Sequence, residues 1–166
     1  MVQTPIQDDF DVIPLDAKPT DIPQIDLRKL HAEGKVKIDT DMTWTAKRYP
    51  KCKPEAAFDG KAVRGYAAHR PERSGSAVYT LTFDREMDIG AVGLCLKPQY
   101  LERAELYVLR DGKFEEPEFA LEEVSQPAKL TYRRFRTPIR TSAVQLKLYD
   151  RTGNWQSLYE IELFGK

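Results

Sequence analysis

The stretch SAVYTLTFD, residues 76–84, has the clearest structural signal in the chain. Its side chains alternate strictly, with Tyr79, Leu81 and Phe83 on one face and Val78 and two threonines on the other. Alternation with a period of two is typical of a β-strand that buries one face. The stretch therefore predicts a strand at the border of a β-sheet core.

Similar short runs lie on both sides of this stretch. IGAVGLCL, residues 89–96, is apolar on both faces and predicts a central strand that is covered on both sides. In AELYVLRDGKFEE, an Asp111-Gly112 pair predicts a hairpin turn after a strand. The remaining predicted strands are TWTAKRY (43–49), KLTYRRFRTP (129–138), SAVQLKLYD (142–150) and SLYEIELFG (157–165). At least seven short strands with little helical patterning predict an all-β fold, an antiparallel β-sandwich.

The first forty residues have a different character. Four prolines punctuate the acidic segment TPIQDDFDVIPLDAKPTDIPQIDL, which is typical of an extended linker. DLRKLHAEGK then predicts a short helix, with Asp26 as N-cap and Gly34 as its end. We therefore predict two parts, a Pro-spaced linker with a short helix at residues 1–40 and a β-sandwich domain at residues 41–166.

Composition limits the possible partners. A chain of 166 residues with 41% hydrophobic residues has enough apolar material for one core of ordinary size. Its 26 basic and 26 acidic residues balance, so no net field attracts nucleic acid or an anionic membrane. There is no run of 18 apolar residues, and the first residues lack the features of a signal peptide. We expect neither nucleic-acid binding nor membrane insertion.

The two cysteines give little information. Cys95 lies in an apolar run, which predicts a buried position, and Cys52 lies in a polar stretch. Neither has a CxxC partner, so a structural zinc site is not expected. Whether the two form a disulfide stays open, because pairing depends on their distance in the fold.

Five motifs occur in an order that resembles the discoidin, or coagulation factor 5/8 type C, domains. They are AAFDGKAVRGY, YTLTFDREMDIGAVGL, LYVLRDGKF, RRFRTPIRTSAVQLKL and NWQSLYEIELFG, and the resemblance covers residues 42–166. It implies the galactose-binding-like jelly roll that these domains share with family 32 carbohydrate-binding modules, an eight-stranded β-sandwich with its ligand loops at one end. Because that fold serves sugars, phospholipid heads and proteins alike, it does not by itself decide the function.

The resemblance also implies one structural Ca²⁺, held by Asp59, Glu160 and backbone carbonyls. The chain departs from the family pattern, because Lys61 stands in place of a second acidic ligand and Arg64 in place of a threonine. Three interpretations stay open. Carbonyls could retain the calcium, a Lys61 or Arg64 side chain could pair with the acids instead of the metal, or Asp59 could simply be a turn residue.

Two predicted loops contain the candidate ligand-binding residues. Sugar recognition needs an aromatic face for the C–H patch of the ring and planar donors for the hydroxyl groups. The candidates are Trp155, Tyr66, His69, Arg70 and Arg73. Each also has an ordinary structural interpretation, which is packing for the two aromatic residues and a solvated surface for the other three.

The sequence also bears on two further function classes, which are glycoside hydrolysis and binding through a basic face. Glu160 and Glu162 could act as a glycosidase pair only across a cleft, and no nucleophile elbow, HExxH or phosphate-loop motif is present, so we predict no catalysis. Four arginines in eight residues could form a face for an anionic polysaccharide or a protein, or could protect an edge strand by charge. They are Arg133, Arg134, Arg136 and Arg140.

With the resemblance, these observations predict a non-catalytic carbohydrate-binding module attached to a larger secreted enzyme. Its expected location is extracellular or periplasmic, and its expected partners are a glycan or polysaccharide and other domains of the parent polypeptide. The alternative is a protein-interaction or structural β-sandwich without a small-molecule ligand.

Overall fold

The computed structural model describes residues 11–43, 47, 49–61, 76–99, 101–124, 128–150 and 156–166, and the backbone of residues 68 and 69. Over these ranges the protein is mostly antiparallel β-strand, which confirms the predicted all-β sandwich. The strands are β1 Val12–Leu15, β2 Val36–Thr40, β3 Ala68–His69, β4 Ser76–Leu96, β5 Leu101–Val108, β6 Phe119–Leu121, β7 Thr131–Asp150 and β8 Ser157–Gly165. Helix α1 spans Leu27–Ala32, and two 3-10 helices span Pro50–Cys52 and Pro54–Phe58.

Strands β4 and β7 are 21 and 20 residues long and contribute to both layers. Their pairing shifts register between Thr82 and Met87, and this irregularity divides each strand into two halves. The first half of β4 pairs with β2 and with the second half of β7, which also pairs with β5. The second half of β4 pairs with β8 and with the first half of β7, which also pairs with β1. The two layers therefore have the orders β2-β4-β7-β5-β6 and β1-β7-β4-β8-β3.

The sequence pattern predicts two shorter strands in place of each long strand. Residues 76–84 and 89–96 belong to the single strand β4, and residues 131–138 and 142–150 belong to β7. The predicted breaks are register shifts and not turns, because a bulge bends a strand without ending it. The predicted strand at 43–49 lies mostly outside the described residues, as does Trp44.

The described part of the N-terminal segment is integrated into the sandwich. β1 pairs with β7, and β2 pairs with β4, so each layer gains one strand from residues 11–40. Pro14 lies within β1, which is compatible with its position at the border of a layer, where one side of the strand needs no hydrogen bonds. This segment is thus more ordered than the predicted extended linker, and a domain boundary at residue 40 stays a prediction.

Two local predictions are confirmed. The Asp26 carboxylate accepts a hydrogen bond from the Lys29 N–H at 3.0 Å and caps α1. Asp111 and Gly112 both have positive φ and form a two-residue hairpin turn between Arg110 and Lys113. No helix among the described residues is long and apolar enough to cross a membrane.

The main core lies between the two layers. It is built from the inward faces of the long strands, and its largest fully buried side chains include Tyr79, Leu81, Ile89, Leu146 and Leu148. A second, smaller cluster covers the outer face of β4 and β8, where Leu15 and Ile22 pack against Tyr132 and Phe164. Because β8 is covered on both faces, all nine of its residues are buried.

Gly93 in β4 provides the space for the Tyr132 ring. A Cβ atom at position 93 would lie 2.6 Å from Tyr132 Cε1 and 2.9 Å from Cδ1, which is closer than carbon atoms can approach. The ring position matters because the Tyr132 hydroxyl donates a hydrogen bond of 2.9 Å to Glu162 Oε1 in the buried interior.

We expect Gly93→Ala to destabilise the protein by about 1–3 kcal/mol, because the ring must move and weaken its bond to Glu162. Urea denaturation measures the change. Gly90→Ala is the matched control in the same strand, since the nearest atom to its Cβ would be the flexible Cδ1 end of Ile22 at 3.1 Å, and its other contacts would be at ordinary distances. Equal losses for the two variants would contradict the assigned role of Gly93.

Candidate functional site

The turn at Asp59 and Gly60 ends the 3-10 helix Pro54–Phe58. The Asp59 carboxylate accepts a hydrogen bond from the Lys61 N–H at 2.8 Å, which is the usual way in which aspartate closes a turn on its own backbone. Gly60 has a φ of 82°, a conformation that costs little only for glycine. This local geometry directs the Gly60 N–H toward β8, where it donates to Glu160 Oε2 at 3.0 Å.

Glu160 is held at an irregular point of β8. Cys95 pairs with Glu160 and Leu96 pairs with Leu158, so Tyr159 is an extra residue between them. Leu158 enters the main core, whereas Tyr159 packs with Cys95 in a separate cluster. The sequence gives no signal for this bulge, because strict alternation from Ile161 and Leu163 predicts Tyr159, and not Leu158, in the main core.

The Glu160 carboxyl group lies in a strongly unfavourable place for a negative charge. The residue is 3% exposed, and its Oε1 atom has no hydrogen-bond partner among the described residues. The pKa of Glu160 is raised from 4.5 to about 8, chiefly by burial, with contributions from the charges of Asp59 and Glu162, while the hydrogen bond from the Gly60 N–H acts in the opposite direction. Near neutral pH this carboxyl group therefore needs a proton or a cation.

The donor set is suitable in kind for a hard cation, although it is small. Asp59 and Glu160 interact directly, and the buried Oε1 atom of Glu160 remains available. Oxygen ligands of this type are those that Ca²⁺ prefers. The described residues contain no group of three or more Asp, Glu, His or Cys side chains that could hold a metal ion, so carbonyl or water oxygens would have to complete the set. Lys61 is exposed to solvent, and Arg64 lies outside the described residues.

A cavity of about 320 Å³ lies beside this carboxyl group. Phe58, Gly60 and Glu160 line it from the turn and β8, and Gln24 and Arg28 line it from the N-terminal segment. Glu162 does not line it. Instead, Glu162 accepts a hydrogen bond from Tyr132 and forms a 3.5 Å ion pair with Lys18. The two glutamates have separate partners, which is unlike the shared cleft that a glycosidase pair requires.

The cysteines do not form a disulfide, although both are buried. Burial and the neighbouring Glu160 charge raise the pKa of Cys95 to about 11. Cys95 therefore acts as a small packing residue next to the candidate site, as its apolar sequence context predicts.

Most of the predicted ligand-binding residues cannot be placed. Trp155, Tyr66, Arg70 and Arg73 lie outside the described residues, and of His69 only the backbone is described. That backbone pairs with Ser157 in β8, two positions after Trp155. The pairing places the His69 backbone, in strand β3 and not in the predicted loop conformation, beside the first residue of β8.

The arginine cluster is dispersed by the fold. Arg134 forms two hydrogen bonds of 2.8 Å with Asp21, and Arg140 pairs with Glu86 and Asp88. Arg133 is partly buried, and burial lowers its pKa. β7 has partners on both sides, so the proposed charged edge strand is wrong, and two of the four arginines pair with carboxylates of the protein itself.

Glu160 generates a prediction about pH. Because its pKa is raised in the folded protein, folding takes up a proton between about pH 4.5 and pH 8. In metal-free buffer we expect the stability from this proton to be complete below pH 4.5 and lost as pH rises through 8. Glu160→Gln should flatten the decline, which urea denaturation from pH 5 to 8.5 measures. An equal slope in both proteins would contradict the assignment.

Known proteins resemble this chain in structure but not detectably in sequence. The sequence matches no protein-family model and no curated protein. Among solved structures, a family 32 carbohydrate-binding module from a family 31 glycoside hydrolase of Clostridium perfringens superposes with a TM-score of 0.60. It is 17% identical, with 78% of this chain and 93% of that chain covered.

Two further structures have the same fold. The family 32 module of Clostridium perfringens NanJ, in complex with galactose, has a TM-score of 0.57 at 10% identity and covers 78% of this chain and 91% of its own. An F5/8 type C domain from Bacteroides fragilis has a TM-score of 0.60 at 16% identity and covers 89% of this chain and 99% of its own. At these identities the comparisons establish the fold, and they confirm the resemblance on which the sequence analysis depends.

Proposed function

Because the chain has the galactose-binding-like fold of family 32 carbohydrate-binding modules and F5/8 type C domains, we propose that it is a non-catalytic carbohydrate-binding module. The observation that carries the proposal is the likeness, over about four fifths of the chain, to modules described as carbohydrate-binding, one of them in complex with galactose. The separate partners of Glu160 and Glu162 support the absence of catalysis.

The proposed ligand site consists of residues on the segments that flank the pairing of β3 with the start of β8. Trp155 would supply the aromatic face for a sugar ring, and Tyr66, His69, Arg70 and Arg73 would supply further contacts and donors. The pairing of His69 with Ser157 supports this grouping, because it brings the His69 backbone next to the first residue of β8.

We further propose that the module belongs to a larger enzyme that acts outside the cytoplasm. One structure with the same fold is a module of a family 31 glycoside hydrolase. A non-catalytic sugar-binding module serves such an enzyme by raising its effective concentration at a polysaccharide.

We expect Trp155→Ala to reduce binding to neutral glycans by about tenfold or more, because one stacked ring contributes on the order of 1–2 kcal/mol. A glycan array followed by calorimetry measures the loss. Tyr49→Ala is the control, since Tyr49 is an exposed aromatic residue on another segment. If the intact protein bound no glycan, a protein-interaction role would replace the proposal.

We also propose that Asp59 and Glu160, with carbonyl or water oxygens, hold one Ca²⁺. The buried Glu160 Oε1 atom, which has no partner among the described residues, supports this, because a cation would satisfy both the atom and the neighbouring negative charges. The ion would fix the turn to β8 and so support the end of the sandwich at which the ligand loops begin.

We expect one equivalent of calcium to raise the melting temperature of chelator-treated protein, since a ligand of the folded state stabilises it. Asp59→Asn and Glu160→Gln should each abolish the rise. Glu162→Gln is the control on the same strand, and its calcium stoichiometry should equal that of the original protein. If calcium did not bind measurably, the calcium proposal would be wrong, and a proton would be the species that neutralises Glu160.

A further inference from the structure

A second cavity, of about 540 Å³, lies next to the Asp59 turn between α1 and the two 3-10 helices. It shares Arg28 and Phe58 with the smaller cavity beside Glu160. Most of its charged lining is basic, and we call it the basic cleft. Its basic residues are Arg28, His31, Lys51, Lys53 and Lys61, and its acidic residues are Glu55 and Asp59.

The charge of the basic cleft differs from that of the whole protein. Four lysine and arginine side chains face two carboxylates in the cleft, whereas the chain as a whole is balanced. Of the two acids, Glu55 lies 3.8 Å from His31, and Asp59 is directed to its own turn and to Glu160. The acids are therefore engaged within the protein, and the cleft keeps an excess of positive charge.

Three basic side chains of the cleft have no counter-ion among the described residues. Arg28, Lys51 and Lys53 are exposed and form no ion pair with a described residue. Arg110, Arg134 and Arg140, in contrast, each pair with a carboxylate. An exposed cation without a counter-ion attracts anions from solution, and a concave wall strengthens that attraction.

The floor of the cleft is apolar. Phe58 and Ala56 line it and are almost fully buried, and the Phe58 ring packs edge-on against His31 at 5.6 Å. An apolar floor with a cationic rim suits a compact ligand that has both a C–H surface and an anionic group.

We propose that the basic cleft binds the anionic groups of an acidic glycan, either uronate carboxylates or sulfate esters. The proposal rests on the proposed carbohydrate-binding function and adds a second site with its own ligand class. It also gives Lys61 a role, because a lysine that is unfavourable for a calcium site is favourable in a wall that binds carboxylate or sulfate.

Three polysaccharides separate the possible ligand chemistries. Polygalacturonic acid has only carboxylates, κ-carrageenan has only sulfates, and neutral galactan has neither. We expect the protein to bind at least one of the acidic polymers, with an affinity that falls as sodium chloride is raised from 50 to 300 mM, since salt screens exposed charges. Binding of only one acidic polymer supports the proposal and identifies the anionic group.

Lys51→Gln/Lys53→Gln should weaken acidic binding by about tenfold, because two charge-assisted contacts are lost. Lys29→Gln/Lys37→Gln is the matched control, since both lysines are exposed, lie outside the cleft lining and remove the same charge. Lys51→Arg/Lys53→Arg should retain binding. Equal effects of the Gln pairs would overturn the proposal, because only the overall charge would then matter.

Failure of this proposal differs from failure of the proposed function. If neutral glycan bound through Trp155 and neither acidic polymer bound, the basic cleft proposal alone would be overturned. If no polymer bound, both would be overturned. Trp155→Ala should leave the salt-sensitive binding unchanged, because the proposal assigns that binding to the cations of the cleft, Arg28, Lys51 and Lys53.

Discussion

The antiparallel pairing of β4 with β7 is the constraint on which the rest of the structure depends. Each strand crosses from one layer to the other. The two strands are paired up to Thr82 and again from Met87, so the register shift between these residues allows the crossing. Thr141 stabilises this region, because its hydroxyl lies 2.8 Å from the Leu109 carbonyl and accepts from the Ala143 N–H at 3.3 Å. All other strands attach directly or indirectly to this pair.

The candidate site at Glu160 follows from the same arrangement. β8 attaches to the second half of β4 and is buried along its whole length, so the Glu160 side chain is almost fully removed from solvent. The Oε2 atom of Glu160 accepts a hydrogen bond from a backbone N–H, whereas its Oε1 atom has no partner among the described residues and needs a proton or a cation. An ionisable group is thus used to join the Asp59 turn to the last strand, and the strength of that junction depends on the solution conditions.

Local chemistry in the sequence was sufficient to predict several features. Alternation at residues 76–84, the N-cap at Asp26 and the Asp111-Gly112 turn all depend on neighbouring residues, and all are present. The continuity of β4 and β7 could not be predicted, because a bend and a turn interrupt alternation in the same way. The basic cleft was also missed, since Arg28, Lys51 and Lys61 are separated in sequence and form a common surface only when α1 packs beside the 3-10 helices.

The positions of β1 and β2 have a consequence for association between molecules. Each lies on an outer side of one of the two long strands, so together they occupy hydrogen-bonding positions in both layers. Without them, the backbone N–H and C=O groups of β4 and β7 would form two open templates for strand addition by another chain. β1 and β2 therefore cover backbone groups that could otherwise pair with another molecule, and β1, which is four residues long and contains Pro14, is itself a poor template.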